Sequence, residues 1–169
     1  LKELSLNNLN NLNYNNYFIA SKYIIEKPDF LMCIYKAMQY NNEFKFDLND
    51  EDDCEIIEIK KQVRKLFVNY CRVAPHMCLQ LITTVLIQQP QPLSKAPFAA
   101  LEAATRLIYA FGEGVMPQQH LQYVAEGTFP QLLQALHETD IALHFHPQVL
   151  LSYFELCSRY VKYCTESSL

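Results

Sequence analysis

Residues 55–89, EIIEIKKQVRKLFVNYCRVAPHMCLQLITTVLIQQ, read as two helices joined by a very short connection. In the first, apolar side chains recur at Ile56, Ile59, Val63, Leu66, Phe67, Tyr70 and Val73. That is the three-four spacing of one buried helical face. Glu58, Lys61, Arg64, Lys65 and Asn69 fill the outward positions. Ala74-Pro75 then breaks the run, because proline lacks a backbone donor and suits the first turn of a new helix. The second helix carries Met77, Leu79, Leu81, Ile82, Val85 and Leu86 as its apolar set. So short a connection predicts an αα-hairpin. Neither helix can bury its stripe alone.

Working outward, the rest of the chain repeats the pattern. Lys27-Pro28 opens a helix with Phe30, Leu31, Ile34, Tyr35 and Met38 on its buried face, ending near Tyr40. An acidic loop follows, with Asp47 and residues 50–53, and part of it caps the organising helix and meets its positive end. Ser94 is read as the cap of the next helix, with Pro97 in its first turn and Phe98, Leu101, Ala104, Leu107, Ile108 and Phe111 as its stripe. Gly112 and Gly114 mark its end. Residues 116–125 form a longer connection. Thr128 caps a further helix, and His146-Pro147 starts the last, with Leu150, Tyr153, Phe154, Cys157, Tyr160, Val161 and Cys164 inside. Residues 17–26 read as the end of a helix, and residues 1–16, with seven asparagines, as a low-complexity segment.

No stretch alternates as strands do. The first helices of successive pairs begin near 54, 96 and 147, at intervals of 42 and 51 residues. Helical repeats of the HEAT and armadillo kind recur at about 40–47 residues. The fold class is therefore all-α, an α-solenoid of antiparallel HEAT-like helix pairs spanning residues 17–169. Ile59, Val63, Phe67, Leu81, Val85, Leu101, Ile108 and Phe154 are expected in its core.

Composition narrows the function. The chain has 169 residues and a net charge of −4, which argues against binding nucleic acid through overall charge. No apolar run approaches the roughly 20 residues that span a bilayer, so no membrane insertion is expected. No signal peptide is visible, which makes a soluble intracellular protein the expectation. The chain starts at Leu1 rather than Met, which fits a piece of a longer protein. The six cysteines form no C-x-x-C pair and read as buried free thiols. His144 and His146 lack a third ligand at metal spacing, and His146 reads as a helix cap, so no metal is expected. No nucleophile elbow and no separated carboxyl pair stands out, so neither an enzyme nor a cofactor is expected.

Lys60, Lys61, Arg64 and Lys65 form the one dense basic cluster, and Arg159 and Lys162 lie on the last helix. These six are the candidate RNA contacts, since binding a folded RNA needs charge and shape rather than interleaved aromatics. The plain alternative is a solvated helix face. The polar faces of the second helices, around Gln80, Thr84, Gln134 and His137, are the next candidates.

Four segments together resemble one family: PDFLMCIYKAMQYNNEFKFDLNDEDD from Pro28, EIKKQVRKLFVNYCRVAPHMCLQLI from Glu58, ALEAATRLIYAFGEGV from Ala100 and LLSYFELCSRYVKY from Leu150. They are similar to the middle of exportin-T, the tRNA export receptor of the importin-β superfamily. The resemblance covers about residues 28–164. It implies a HEAT-repeat receptor, monomeric at full length, that binds mature tRNA together with GTP-bound Ran. Such a receptor passes the nucleoporins of the nuclear pore, shuttles between nucleus and cytoplasm, and has no catalytic centre. It also implies that the basic cluster faces the outer side of the solenoid. The runner-up is an importin-β-like protein-binding scaffold without RNA cargo.

Overall fold

The computed structural model describes residues 28–115 and 128–165, with side chains from 29 to 115 and from 128 to 161. The Asn-rich start, the helix end read at 17–26 and the connection at 116–125 lie outside the described residues. Six helices follow in order: α1 (Pro28–Met38), α2 (Glu51–Val73), α3 (Pro75–Ile87), α4 (Phe98–Gly114), α5 (Thr128–His137) and α6 (Pro147–Thr165). Short 3-10 turns at Leu93–Lys95 and Asp140–Leu143 complete them, and no strand occurs among the described residues.

The helices form two layers. α2, α4 and α6 lie side by side, α4 touching both others. α1, α3 and α5 back them, α1 on α2 and α3, α3 on α2 and α4, and α5 on α6. This is the stacked-hairpin arrangement that the repeat spacing predicts. Local signals set the element ends. Asp50 accepts the backbone N–H groups of Asp52 and Asp53 and caps α2. Pro75 stands at the first position of α3. His146 Nδ1 accepts the Gln148 N–H at 3.3 Å, which bears out its reading as a helix cap.

Ser94 does not cap α4. Pro97 holds that position without a side-chain bond, and Ser94 instead pairs with Asp140, tying the two 3-10 turns together. The core takes Phe67, Leu81, Val85, Leu101 and Ile108 as expected, while Val63 is half-buried. Two expected core residues are not in it. Ile59 is 50% exposed and Phe154 57% exposed. Leu66 and Val73, assigned to the same stripe as Ile59, are 47% and 65% exposed. The stripe on α2 is wider than one interface. Its Phe67–Tyr70–Cys71 flank is buried, and the Ile59–Leu66–Val73 flank lies at the edge of the layer. Cys71 and Cys78 are buried and free, while Cys33 and Cys54 are exposed, against the expectation of buried thiols. Burial pushes the Cys71 thiol far above its ordinary range, so it behaves as a small hydrophobe.

Gly114 does more than end α4. A Cβ there would stand 2.5 Å from the Val68 carbonyl oxygen and 2.6 Å from the Cys71 Cβ, so α2 and α4 touch backbone to backbone. Gly112 instead makes room for the Tyr160 ring on the α6 side. Gly114→Ala is expected to lower stability by about 1–3 kcal/mol, the usual cost of overpacking a fixed contact. Gly112→Ala would meet the buried ring of Tyr160, 5% exposed and bonded to the Tyr109 carbonyl, and is expected to cost at least as much. Urea unfolding of the two variants checks the order, and a neutral Gly114→Ala would show that the layers can part.

Candidate nucleic-acid interface

Lys60 and Lys61, adjacent on α2, and Arg64 one turn further on line one cleft of about 290 Å³ with Tyr40, Glu102 and Arg106. α1, α2 and α4 build this cleft. Beside the three α2 cations, α4 brings Arg106, a cation that the sequence reading did not include.

Their commitments differ. Lys60 is not a free surface cation. Its ammonium donates to the Ala37 and Gln39 carbonyls at 2.8 and 2.7 Å, filling acceptors that the end of α1 leaves open. It also lies 5.5 Å above the Tyr40 ring. Burial lowers its pKa, with the Glu102 charge acting in the other direction. Lys61 is exposed and pairs with Glu58 at 3.2 Å within its own helix. Such exposed pairs are worth only tenths of a kcal/mol and yield readily to a better anion. Lys65 is exposed.

Arg64 and Arg159 converge on α4 from either side. The Arg64 guanidinium stands 3.8 Å from Glu113 and 5.8 Å above the Tyr109 ring. Arg159 donates to the Tyr109 hydroxyl at 2.9 Å, reaches Glu113 at 3.4 Å and lies 4.9 Å over the Tyr109 ring. Tyr109 is thus held between arginines from α2 and α6, with Glu113 shared by both. The side chain of Lys162 lies outside the described residues.

The pair Glu102 and Arg106 was not singled out in the sequence. Arg106 Nε donates to Glu102 at 2.9 Å, and its Nη1 reaches Glu155 of α6. Glu102 is almost fully buried, and burial holds its carboxyl above the ordinary range against the opposing pull of Arg106. The signal was present: an acid and an arginine four residues apart inside the otherwise apolar run AALEAATRLIYAF. Charges on a helix flanked on both sides must find each other.

This surface is therefore a charged seam across α2, α4 and α6. Lys60, Arg64, Arg106 and Arg159 alternate with Glu102, Glu113 and Glu155. Its most exposed cations are Lys61, paired within its own helix, and Lys65, while Arg64 is held by Glu113 at 3.8 Å and by the Tyr109 ring. On the second layer, Gln80, Thr84 and His137 are exposed and Gln134 is half-buried, as polar-face residues should be. Among the described residues no cluster of three His, Cys, Asp or Glu side chains could hold a metal ion. His144 Nε2 faces the Ala96 carbonyl and its Nδ1 accepts the His146 N–H, so both ring nitrogens are engaged. No described helix is long and apolar enough to cross a membrane.

The family model for exportin-T matches residues 19–168. Curated relatives named exportin-T include one from Arabidopsis thaliana, 29% identical over 86% of this chain, and one from Danio rerio, 24% identical over 79%. The human exportin-T is 24% identical over 80% of the chain. In each case the match spans 14% of the relative's length. No solved structure matches.

Proposed function

The chain belongs to the exportin-T family, and from that premise we propose that it is a central repeat segment of a tRNA nuclear export receptor. The observation that carries this is the family match across nearly the whole chain, continuous through every helix described. The receptor binds tRNA cooperatively with GTP-bound Ran in the nucleus, passes the nucleoporins as a monomer and releases its cargo in the cytoplasm. It works by binding alone and catalyses no reaction. The segment's contribution is a stiff run of stacked hairpins with a band of cations along one layer.

Within that reading, the candidate RNA contacts are Lys60, Lys61, Arg64, Lys65, Arg159 and Lys162. Lys61 and Lys65 lead the set, because neither anchors another helix. Arg64 follows, since a phosphate offers a closer and more symmetric partner than a carboxylate 3.8 Å away. Lys60, with its two carbonyl acceptors, acts in support. Phosphate contacts release counterions, so their loss weakens binding evenly across sequences and flattens its salt dependence.

In a full-length receptor carrying this segment, tRNA retardation in a gel is expected only when Ran-GTP is added. Retardation of neither kind favours the second reading, a protein-binding scaffold without RNA cargo. The balanced seam and the net charge of −4 are the observations on that side. Lys61→Glu/Lys65→Glu is expected to weaken tRNA binding roughly tenfold or more and to lower the salt slope by about one unit per lost contact. An unchanged affinity and slope would retire the α2 patch and move the search to Gln80, Thr84, Gln134 and His137.

A further inference from the structure

We propose that the groove across α2, α4 and α6 binds an acidic peptide segment of a partner protein, its carboxylates on Arg64 and Arg159 and one bulky apolar side chain on Leu151 and Phe154. The groove's own chemistry carries this, apart from the export reading. Lys61 and Lys65, which lead the RNA candidates, do not line it.

The groove is open, with a volume of about 620 Å³. Arg64 comes from α2, Arg106 and Tyr109 from α4, and Leu151, Phe154 and Arg159 from α6. It thus runs over the middle of the layer, not along an end of it. Helical geometry fixes which way it opens. At about 100° per residue, Leu151 and Glu155 leave α6 opposite Val149, Tyr153 and Leu156, which are buried, Tyr153 against His137 of α5 at 2.9 Å. The groove therefore opens on the side of the first layer that the second does not cover.

Its lining matches an acidic, partly apolar segment. Among the described residues, Arg64, Arg106 and Arg159 are the cations that line it and Glu155 is the acid. The chain as a whole carries −4, so the groove is a local exception that an acidic partner recognises. The arginines have donors to spare. Arg159 engages Tyr109 and Glu113 through Nη1 alone, and Arg64 reaches Glu113 at 3.8 Å. A guanidinium has more N–H groups than these contacts use, and its fork fits a carboxylate in bidentate fashion. Beside them Leu151 and Phe154 are 48% and 57% exposed, and an apolar side chain laid on them removes that surface from water.

RNA fits the groove less well. Tyr109 is already covered by two guanidiniums, 5.8 and 4.9 Å from its ring, and is poorly placed to stack a base. Glu113 and Glu155 stand among the arginines, where successive phosphates meet them as like charges. A peptide places its acids at chosen intervals. Two helix spacings of about 8–10 Å separate α2 from α6, so about six extended residues cross the groove.

The test is fluorescence anisotropy on the full-length receptor carrying this segment, with a labelled peptide of about ten residues built from aspartate and glutamate around one phenylalanine and one leucine. It is expected to bind, and to bind roughly tenfold or more weakly when its two apolar residues become serine. Phe154→Ser and Arg159→Glu in the receptor should each weaken it by a similar factor, with unchanged helical spectra because both side chains are about half exposed. Lys95→Glu, an equal charge change on an exposed lysine of the Leu93–Lys95 turn, should leave binding unchanged. Failure of the acidic peptide to bind overturns the proposal. So does an equal loss from Lys95→Glu, which would mark bulk charge, or no loss from Phe154→Ser. Displacement of the peptide by single-stranded oligouridine overturns it as well and makes the groove a nucleic-acid surface. Each of these outcomes leaves the Ran-dependent retardation of tRNA where it stands, so the two readings fail separately.

Discussion

Phe67→Ala is expected to lower the stability of this chain by about 3–5 kcal/mol, the cost of removing a buried phenylalanine and leaving its cavity. Phe67 has no exposed surface and sits on α2, the helix that contacts α1, α3 and α4 together. A void there loosens both layers at once. Domains of this size are stable by about 5–15 kcal/mol, so the variant should lose much of its cooperative unfolding. Ile59→Ala is the informative control. The two residues belong to one apolar run in the sequence, yet Ile59 is half exposed, and its truncation should cost about 1 kcal/mol or less. Urea midpoints for the two variants measure the difference. Equal losses would mean that something covers Ile59 as thoroughly as Phe67 is covered.

That contrast marks the boundary of what was legible in the chain. Proline positions and apolar spacing place helices to within a few residues, because both act through the local backbone: α2 and α3 break at Ala74-Pro75 as read. Periodicity also gives the angle at which a side chain leaves its helix. It does not say whether a neighbour stands at that angle. Ile59, Leu66 and Val73 look like core for that reason, and so does Phe154 on α6.

The same gap appears among the charges. Lys60 and Lys61 are adjacent and alike in sequence, but the carbonyls that engage Lys60 belong to Ala37 and Gln39, which only the packing of α1 on α2 brings near. Gly112 and Gly114 read as stop signals. Their tighter role, letting α4 approach Tyr160 and the α2 backbone, depends on helices distant in the chain. The candidate patch was thus legible as charge on a helix face, and illegible as a seam.

Arg106→Met should test how that seam is held. The substitution removes both hydrogen bonds to Glu102 and Glu155 and leaves the Glu102 carboxylate, 3% exposed, without its guanidinium. Breaking a buried pair from one side usually costs about 3–5 kcal/mol, because the remaining charge is neither solvated nor paired. The loss should depend on pH in a definite direction. Burial already holds the Glu102 carboxyl above its ordinary value of 4.5, and removing Arg106 removes the main opposing influence. The folded variant then takes up a proton at a higher pH than the unfolded chain does. Where the folded state binds more protons, stability rises as pH falls. The variant should therefore recover part of its deficit relative to the parent as pH falls towards the ordinary glutamate range. Adding Glu102→Leu removes the stranded charge and should restore most of the stability at every pH, since well-packed apolar residues replace buried ion pairs at little cost. A small loss with no recovery in acid would show that Glu102 reaches water, and that α4 and α6 are joined by apolar contact and the Tyr109–Arg159 bond rather than by this pair.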